Sequence, residues 1–317
     1  MHPAKGPGLS DPNDHRLFEH LRRQLIEMRE RAGGALYLLV DPSLRDPFSG
    51  VESGNPKFTL PLPAARFPQG TAPYLLRAGA FGRDLVADLS LQLAIEQAGH
   101  SANSSSSTSA RSMGAWIVLA DDQNPMQVAS ALARSSQLFI QGERRTLRFW
   151  DPRVMDLLNG ILDTDQHRQL LAPILSYAWM RRDLLIRVQA HEPGQQDALS
   201  PLAAQLQLSM EQVRLIQLLP DMNLVLGSLE KAGCVHSEDY ALDVARNLRA
   251  AEDRWQMQEK DDRVAFAICC GVYGDDFWAD PEISSALSGM QGRQGCMAVV
   301  INQLTATAPR QGTVHRP

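Results

Sequence analysis

A strand that passes directly into a helix is the feature that most constrains this sequence, and it lies in TLRFWDPRVMDLL, residues 146–158. The β-branched and aromatic residues of 146–150 favour a strand. Asp151 is placed as an N-cap and Pro152 as the first helical residue, because proline lacks the N–H that would be unpaired there. Apolar residues then recur at helical spacing. The segment predicts a fold in which strands and helices form packed layers.

Arg153 stands in the first turn of this predicted helix. A cation at that position is disfavoured by the helix dipole by roughly 0.3–1 kcal/mol. We therefore expect Arg153 to pair with a nearby carboxylate, for which Asp41, Asp151 and Asp156 are the candidates.

Along the strand, side chains should alternate between the two faces of a sheet. Leu147 and Phe149 are then expected to face one layer, and Arg148 and Trp150 the opposite one. If no helix covers that second layer, Arg148 and Trp150 become candidates for contact with a partner.

Other segments before residue 190 also read as strands or helices. ALYLLVD, Ala35–Asp41, is apolar almost throughout, as in a strand covered on both faces. The remaining predictions are helices at 14–32, 83–97, 125–135 and 166–171, strands at 72–79 and 114–121, and hairpins turning near Gly142 and at residues 181–183. The Ser-rich segment 101–110 reads as a loop.

After residue 201 the periodicity is helical. Ser209 and Gln212 form a capping box that opens a helix, Pro220 begins another to Ala232, and a charged helix spans 238–260. A helix that is apolar nearly all round follows at 261–271, and another begins with the Asp280-Pro281 cap and ends at Gly289. The predicted fold class is a mixed-sheet α/β N-terminal lobe followed by an all-helical C-terminal lobe. The predicted domains are an arm (1–13), an α/β domain (14–190), a linker (191–201), a helical lobe (202–304) and a tail (305–317).

Composition excludes several classes of function. The formal net charge of −5 argues against general binding to nucleic acids or anionic membranes. The sequence has no run of 18 apolar residues and no apolar signal-type segment near residue 1, so no membrane insertion is expected. The four cysteines form no C-x-x-C pair, and Cys269 and Cys270 read as small core residues. A soluble protein of a reducing compartment is expected.

A search for catalytic motifs finds no phosphate-binding loop, no dinucleotide fingerprint, no nucleophile elbow and no H-E-x-x-H. No metal or cofactor site is predicted. Asp121 and Asp122 follow an apolar strand, and the carboxyl ends of strands are where sites form in open α/β sheets. An α/β enzyme that uses this pair is the alternative function, and a solvated turn is the plainer interpretation.

Basic residues are concentrated in the last third of the α/β lobe, around Trp150, Tyr177 and Trp179. They are Arg144, Arg145, Arg148, Arg153, Arg181, Arg182 and Arg187. Such a concentration is typical of a solvated face. It is also the composition of an interface with an acidic partner, because protein interfaces are enriched in arginine and aromatic residues.

Four segments of the α/β lobe resemble the type VI secretion effector chaperone, or adaptor, family over residues 36–175. They are LYLLVD with Asp41, APYLL with Tyr74, LRFWDPRVMDLL and LLAPI. The most specific part is Phe149-Trp150-Asp151-Pro152-Arg153. The Ser-rich segment near Ser104 and the long helix at 14–32 depart from the family pattern.

This resemblance implies a cytoplasmic bacterial protein that binds one toxic effector, stabilises it and helps load it onto the tip protein of the secretion spike. It implies no cofactor and no catalytic residue, hence a protein that is not an enzyme. A general scaffold of the secretion machine is a further alternative. The expected partner-binding residues are Arg148, Trp150, Arg153, Tyr177, Trp179, Arg181 and Arg182. The expected structural residues are Asp41, Tyr74, Phe149, Asp151 and Pro152.

Overall fold

The computed structural model describes residues 12–43, 46–51, 54–103, 113–172, 174–181, 184–190, 206–234, 240–289 and 291–307. The predicted fold class is confirmed, because a β-sheet flanked by helices is followed by a helical region. Contacts within the chain define two compact units, Met1–Val213 and Arg214–Pro317.

Among its described residues, the first unit has eight strands and five helices, and the sixth helix begins within it. In chain order they are α1 (Pro12–Ala32), β1 (Gly34–Val40), β2 (Lys57–Thr59), β3 (Tyr74–Arg77), α2 (Leu85–Asn103), β4 (Met113–Ala120), α3 (Pro125–Ser135), β5 (Gln137–Ile140), β6 (Glu143–Thr146), α4 (Pro152–Ile161), α5 (Thr164–Leu170), β7 (Ser176–Arg181), β8 (Leu184–Gln189) and α6 (Met210–Lys231).

Six of these strands form one sheet in the order β2-β3-β1-β4-β7-β8, and each described pairing in it is antiparallel. The β5–β6 hairpin is a separate two-stranded sheet that turns at Gln141 and Gly142, as predicted, and both turn residues have positive φ. β7 and β8 pair as the two strands of the hairpin predicted around residues 181–183, and residues 182 and 183 themselves lie outside the described residues.

The large sheet is covered on both faces. Alternate strand residues such as Leu36, Leu38 and Ala178 join α1 and α2 in one hydrophobic core. The intervening residues point to the opposite face, where α4 contacts β7 and α3 contacts β2 and β3. This double cover explains why β1 is buried along nearly its whole length, as its apolar sequence predicted.

The second unit continues α6 and adds α7 (Tyr240–Asp253), α8 (Lys260–Tyr273), a 3₁₀ turn (Phe277–Ala279), α9 (Pro281–Gly289) and α10 (Cys296–Thr307). Its core includes Trp255, Phe266, Cys269 and Cys270, so the two adjacent cysteines are small core residues as predicted. Burial raises the pKa of the Cys269 thiol to about 11, which keeps it protonated.

Three helices differ from the prediction. The helix predicted at 83–97 extends to Asn103, so residues 101–103 of the predicted Ser-rich loop are helical. Residues 210–231 form one helix that contains Pro220, because a stripe of buried residues (Ile216, Leu219, Met222) continues past the proline. Packing of that stripe offsets the lost backbone hydrogen bond. The helix predicted at 238–260 instead ends at Asp253, since the chain turns to bury Trp255 and Met257.

Several predicted segments lie outside the described residues: the arm up to residue 11, the Ser-rich segment from 104, the linker at 191–201 and the tail from 308. Arg182 also lies outside them. In the part of the chain that the structure describes, no helix combines the length and the apolar character needed to cross a bilayer.

Candidate functional site

The segment after β6 is a turn rather than a continued strand. β6 ends at Thr146, and Leu147, Phe149 and Trp150 are all buried. Side chains alternate between two faces only along a strand, and residues 147–150 are not in one. The predicted alternation, with Trp150 opposite Phe149, is therefore wrong, and both aromatic side chains enter the core.

The start of α4 is as predicted. Asp151 is the N-cap, its carboxylate accepts a hydrogen bond from the Arg153 backbone N–H at 3.0 Å, and Pro152 opens the helix. The Arg153 side chain donates to the same carboxylate through Nε at 3.0 Å and Nη2 at 2.7 Å. The expected carboxylate partner of Arg153 is thus Asp151. Burial pushes the pKa of Asp151 up, but the hydrogen bonds and charge of Arg153 outweigh it and hold that pKa below its usual value.

Asp41, at the end of β1, ties this turn to the large sheet. The carboxylate is buried, with the residue only 4% exposed. Oδ2 accepts hydrogen bonds from Arg148 Nη2 at 2.6 Å and from Trp150 Nε1 at 3.1 Å, while Oδ1 accepts from the Ser43 backbone N–H at 3.0 Å. A buried carboxylate requires such donors, and two of them come from residues more than a hundred positions away in sequence. We call Asp41, Arg148 and Trp150 the Asp41 junction.

Glycine at position 114 lets the junction approach the sheet closely. A Cβ on Gly114 would lie 2.5 Å from the Trp150 carbonyl oxygen and 2.6 Å from that of Leu39. Real Cβ atoms essentially never come so close, so the backbone of Trp150 passes β4 at a distance that only glycine permits.

The aromatic side chains of the predicted partner surface belong to the core. Trp150, Tyr177 and Trp179 each have an exposed fraction of 0%. The Tyr177 hydroxyl donates to the Phe149 carbonyl oxygen at 2.9 Å, and burial raises the pKa of that hydroxyl. The expected exposure of these three side chains is therefore wrong: helix packing covers both faces of β7.

The arginines of that surface are accessible but mostly neutralised. The side chains of Arg148 and Arg153 are about half exposed and pair with Asp41 and Asp151. Arg181 pairs with Asp156 at 3.4 Å. Three of the four arginines expected to bind a partner are described, and each lies beside a carboxylate of this chain. That carboxylate weakens the attraction of the arginine for a carboxylate of another protein.

Tyr74 has a structural contact that the sequence did not indicate. Its hydroxyl donates to Asp46 Oδ1 at 2.6 Å, and Lys57 Nζ contacts Asp46 Oδ2 at 2.6 Å. Burial raises the pKa of Asp46. Hydrogen bonds from Lys57, Tyr74 and the Phe48 N–H outweigh this effect and hold the pKa below its usual value. Asp46 lies in an irregular connection whose sequence has no periodic pattern, so nothing local identified it.

Asp121 and Asp122 lie exposed in the turn after β4. Neighbouring strands of this sheet run in opposite directions, so their carboxyl ends do not gather at one edge as the alternative function requires. Within the described ranges no group of three or more His, Cys, Asp and Glu side chains could hold a metal ion.

Two exposed arginines differ from those of the junction. Arg134 on α3 and Arg144 on β6 have no ion pair with any described residue. Arg144 was part of the predicted basic concentration. Arg134 was missed because it belongs to a different element, although its polar position on an amphipathic helix indicated exposure.

Comparison with protein-family models, with curated proteins and with solved structures found no match. The resemblance to the secretion chaperone family therefore stays a prediction from the residues quoted above.

Proposed function

We propose that this protein is a non-catalytic chaperone, or adaptor, of type VI secretion. In this proposal it binds one cognate toxic effector in the bacterial cytoplasm, keeps it stable, and helps load it onto the tip protein of the secretion spike. Binding of nucleic acid and insertion into a membrane are not part of the proposed function.

The observation that carries the proposal is the Asp41 junction. The resemblance depends on Asp41 and on the residues from Phe149 to Arg153, which are far apart in sequence. Asp41 bonds directly to Trp150, and Tyr177 bonds to the carbonyl of Phe149. The segments that carry the resemblance are therefore bonded to one another in the fold, which supports treating them as one structural unit.

Exposed side chains give the proposal its second support. Arg134 and Arg144 are accessible on the first unit, as are the apolar side chains of Phe139 and Met126. Accessible arginine beside apolar surface is the composition of a protein interface. The overall acidic charge, in contrast, does not favour nucleic acid.

Deletion of the gene in its native host is the test. We expect the toxin encoded beside it to lose solubility and to disappear from the secreted fraction, while other effectors are secreted normally. The measurement is quantitative mass spectrometry of soluble and secreted fractions, and a plasmid copy of the wild-type gene should restore both.

Three outcomes would contradict the proposal. If the neighbouring toxin stays soluble and is secreted without this protein, the chaperone function is wrong. Loss of every effector would indicate a general scaffold. If Asp121→Asn with Asp122→Asn abolished the rescue while the variant still bound the toxin, the enzyme alternative would replace the chaperone.

A further inference from the structure

An open groove of about 620 Å³ lies on the first unit, and none of its lining residues belongs to the Asp41 junction. One wall is the chain from Pro61 to Pro63, the second is α3 with Ser130, Ala133 and Arg134, and Arg144 of β6 lies at the third. This volume is within the range of roughly 300–1,000 Å³ that is usual for ligand sites. The groove can hold a few side chains of a bound segment.

The first wall of the groove is held in place. The Pro63 carbonyl oxygen accepts hydrogen bonds from the backbone N–H groups of Arg66 and Phe67, and the Phe67 ring packs edge-on against Trp150 at 6.0 Å between centroids. Proline residues also restrict the backbone on either side of Leu62. A groove whose wall is ordered before binding loses less entropy on binding.

Two arginines and no acidic residue are among the residues that line the groove. Neither Arg134 nor Arg144 has an ion pair with any described residue, in contrast to Arg145, which pairs with Glu143. Arg66 adds a third guanidinium nearby, because its Nη2 donates to the Arg144 carbonyl oxygen at 2.8 Å. The groove is thus locally cationic on a chain whose net charge is −5.

Two of the most exposed large apolar side chains flank these arginines. Phe139 of β5, 64% exposed, is the cross-strand partner of Arg144, so both project from the same face of the hairpin. Met126, 65% exposed, stands one helical turn before Ser130, which in turn precedes Arg134 by one turn on α3. Apolar surface therefore extends the groove at two sides.

We propose that this groove binds an extended segment of a partner protein in which acidic and apolar residues alternate. Carboxylates of the segment contact Arg134 and Arg144, where arginine offers bidentate hydrogen bonds, and apolar side chains pack on Leu62, Phe139 and Met126. An apolar wall of Leu62 and prolines suits a peptide better than a phosphate backbone. This inference deepens the proposed function, on which the partner's identity as the effector rests.

The test uses the full chain and short fluorescein-labelled peptides in which leucine alternates with glutamate, with lysine or with glutamine. We expect saturable binding of the glutamate peptide by fluorescence anisotropy, at least about tenfold tighter than that of the other two. Arg134→Glu with Arg144→Glu should weaken it by about tenfold or more, and added salt should weaken the wild-type interaction.

The matched control is Arg83→Glu with Arg187→Glu, which makes the same change in net charge at two exposed arginines outside the groove. It should bind the glutamate peptide like the wild type. Thermal unfolding verifies that both variants are folded, and Arg134→Gln with Arg144→Gln replaces the first variant if it is not. Equal binding of the glutamate and lysine peptides, equal weakening by the control variant, or tighter binding of labelled oligothymidine would overturn the inference.

Capture of the neighbouring toxin separates this inference from the proposed function. If the glutamate peptide binds as expected but the wild-type chain does not retain the toxin, the groove stands and the chaperone function fails. If the groove variant retains the toxin as well as the wild type does, the function stands and this site for the effector is wrong.

Discussion

Trp150 and Asp41 show at the scale of single residues how a polar group is accommodated in the core. The indole ring is fully buried and its N–H finds the Asp41 carboxylate, which is also bonded to Arg148 and to the Ser43 backbone. A buried acceptor with three donors is stable where an unpaired one would be costly. The Arg148 side chain, which is about half exposed, lets water reach the outer side of the pair.

Replacing Trp150 by alanine should lower the free energy of unfolding by about 3–5 kcal/mol, because a large buried side chain is removed and a cavity is left. Urea unfolding followed by circular dichroism measures the change. Trp150→Phe is the control: it retains an aromatic ring but leaves Asp41 with one donor fewer, for a smaller loss of about 1–3 kcal/mol. An alanine variant of unchanged stability would show that Trp150 is not a core residue.

At the scale of secondary-structure elements, a residue in the capping box of α5 also forms hydrogen bonds to another helix. Its N-cap Asp163 and Gln166 form a capping box, and Gln166 Nε2 donates to Gln212 Oε1 at 2.8 Å. Gln212 also accepts from the Ser209 N–H at the start of α6, which confirms the capping box predicted there, and donates to the Ile161 carbonyl at the end of α4. Two glutamines thus join the ends of three helices.

The lowered pKa of His167, in α5, leads us to expect that the stability of the first unit depends on pH. Burial lowers the pKa of His167 below its ordinary value of 6.5, although the Asp163 carbonyl, 3.0 Å from Nδ1, partly opposes this. The unfolded chain therefore takes up a proton at this residue at higher pH than the folded one. The stabilising contribution is complete above about pH 6.5 and is lost as the pH falls through the folded pKa.

We expect His167→Asn to flatten the pH dependence of the free energy of unfolding between about pH 7 and pH 5, because asparagine keeps an N–H near the Nδ1 position but does not titrate. Urea titrations of both proteins across this interval measure the two slopes. Parallel curves would show that His167 does not contribute to the acid sensitivity.

At the scale of the whole molecule, each unit has a hydrophobic core of its own. The first includes Leu36 and Trp116, between the sheet and the α1–α2 layer. The second is formed around Phe266, whose ring packs near Phe277 at 5.3 Å and is stacked with Trp278 at 5.5 Å between centroids. A separate core for each unit is the property that allows domains to unfold independently.

Calorimetry should therefore resolve two thermal transitions. Phe266→Ala, which removes about 3–5 kcal/mol of stability from the second core, should lower the midpoint of one transition and leave the other in place. Trp150→Ala should shift the transition that Phe266→Ala leaves unchanged. A single transition that moves in both variants would show that the two units unfold as one.

Local features of this fold could be predicted from the sequence. The N-cap at Asp151, the capping box of Ser209 and Gln212, the hairpin at Gly142 and the doubly covered strand β1 are each encoded within a few neighbouring residues. Helix capping, turn formation and hydrophobic periodicity depend on residues that are close in sequence, so they can be predicted from the sequence alone.

Only the tertiary structure decided which of the predicted residues lie at the surface. Trp150, Tyr177 and Trp179 entered the core because helices cover both faces of the sheet, and Arg148 and Arg153 kept access to solvent while each gained a carboxylate partner. Arg134 and Arg144 came together at one groove although they belong to a helix and a hairpin. Burial and pairing of this kind depend on contacts between distant segments, and no local pattern encodes such contacts.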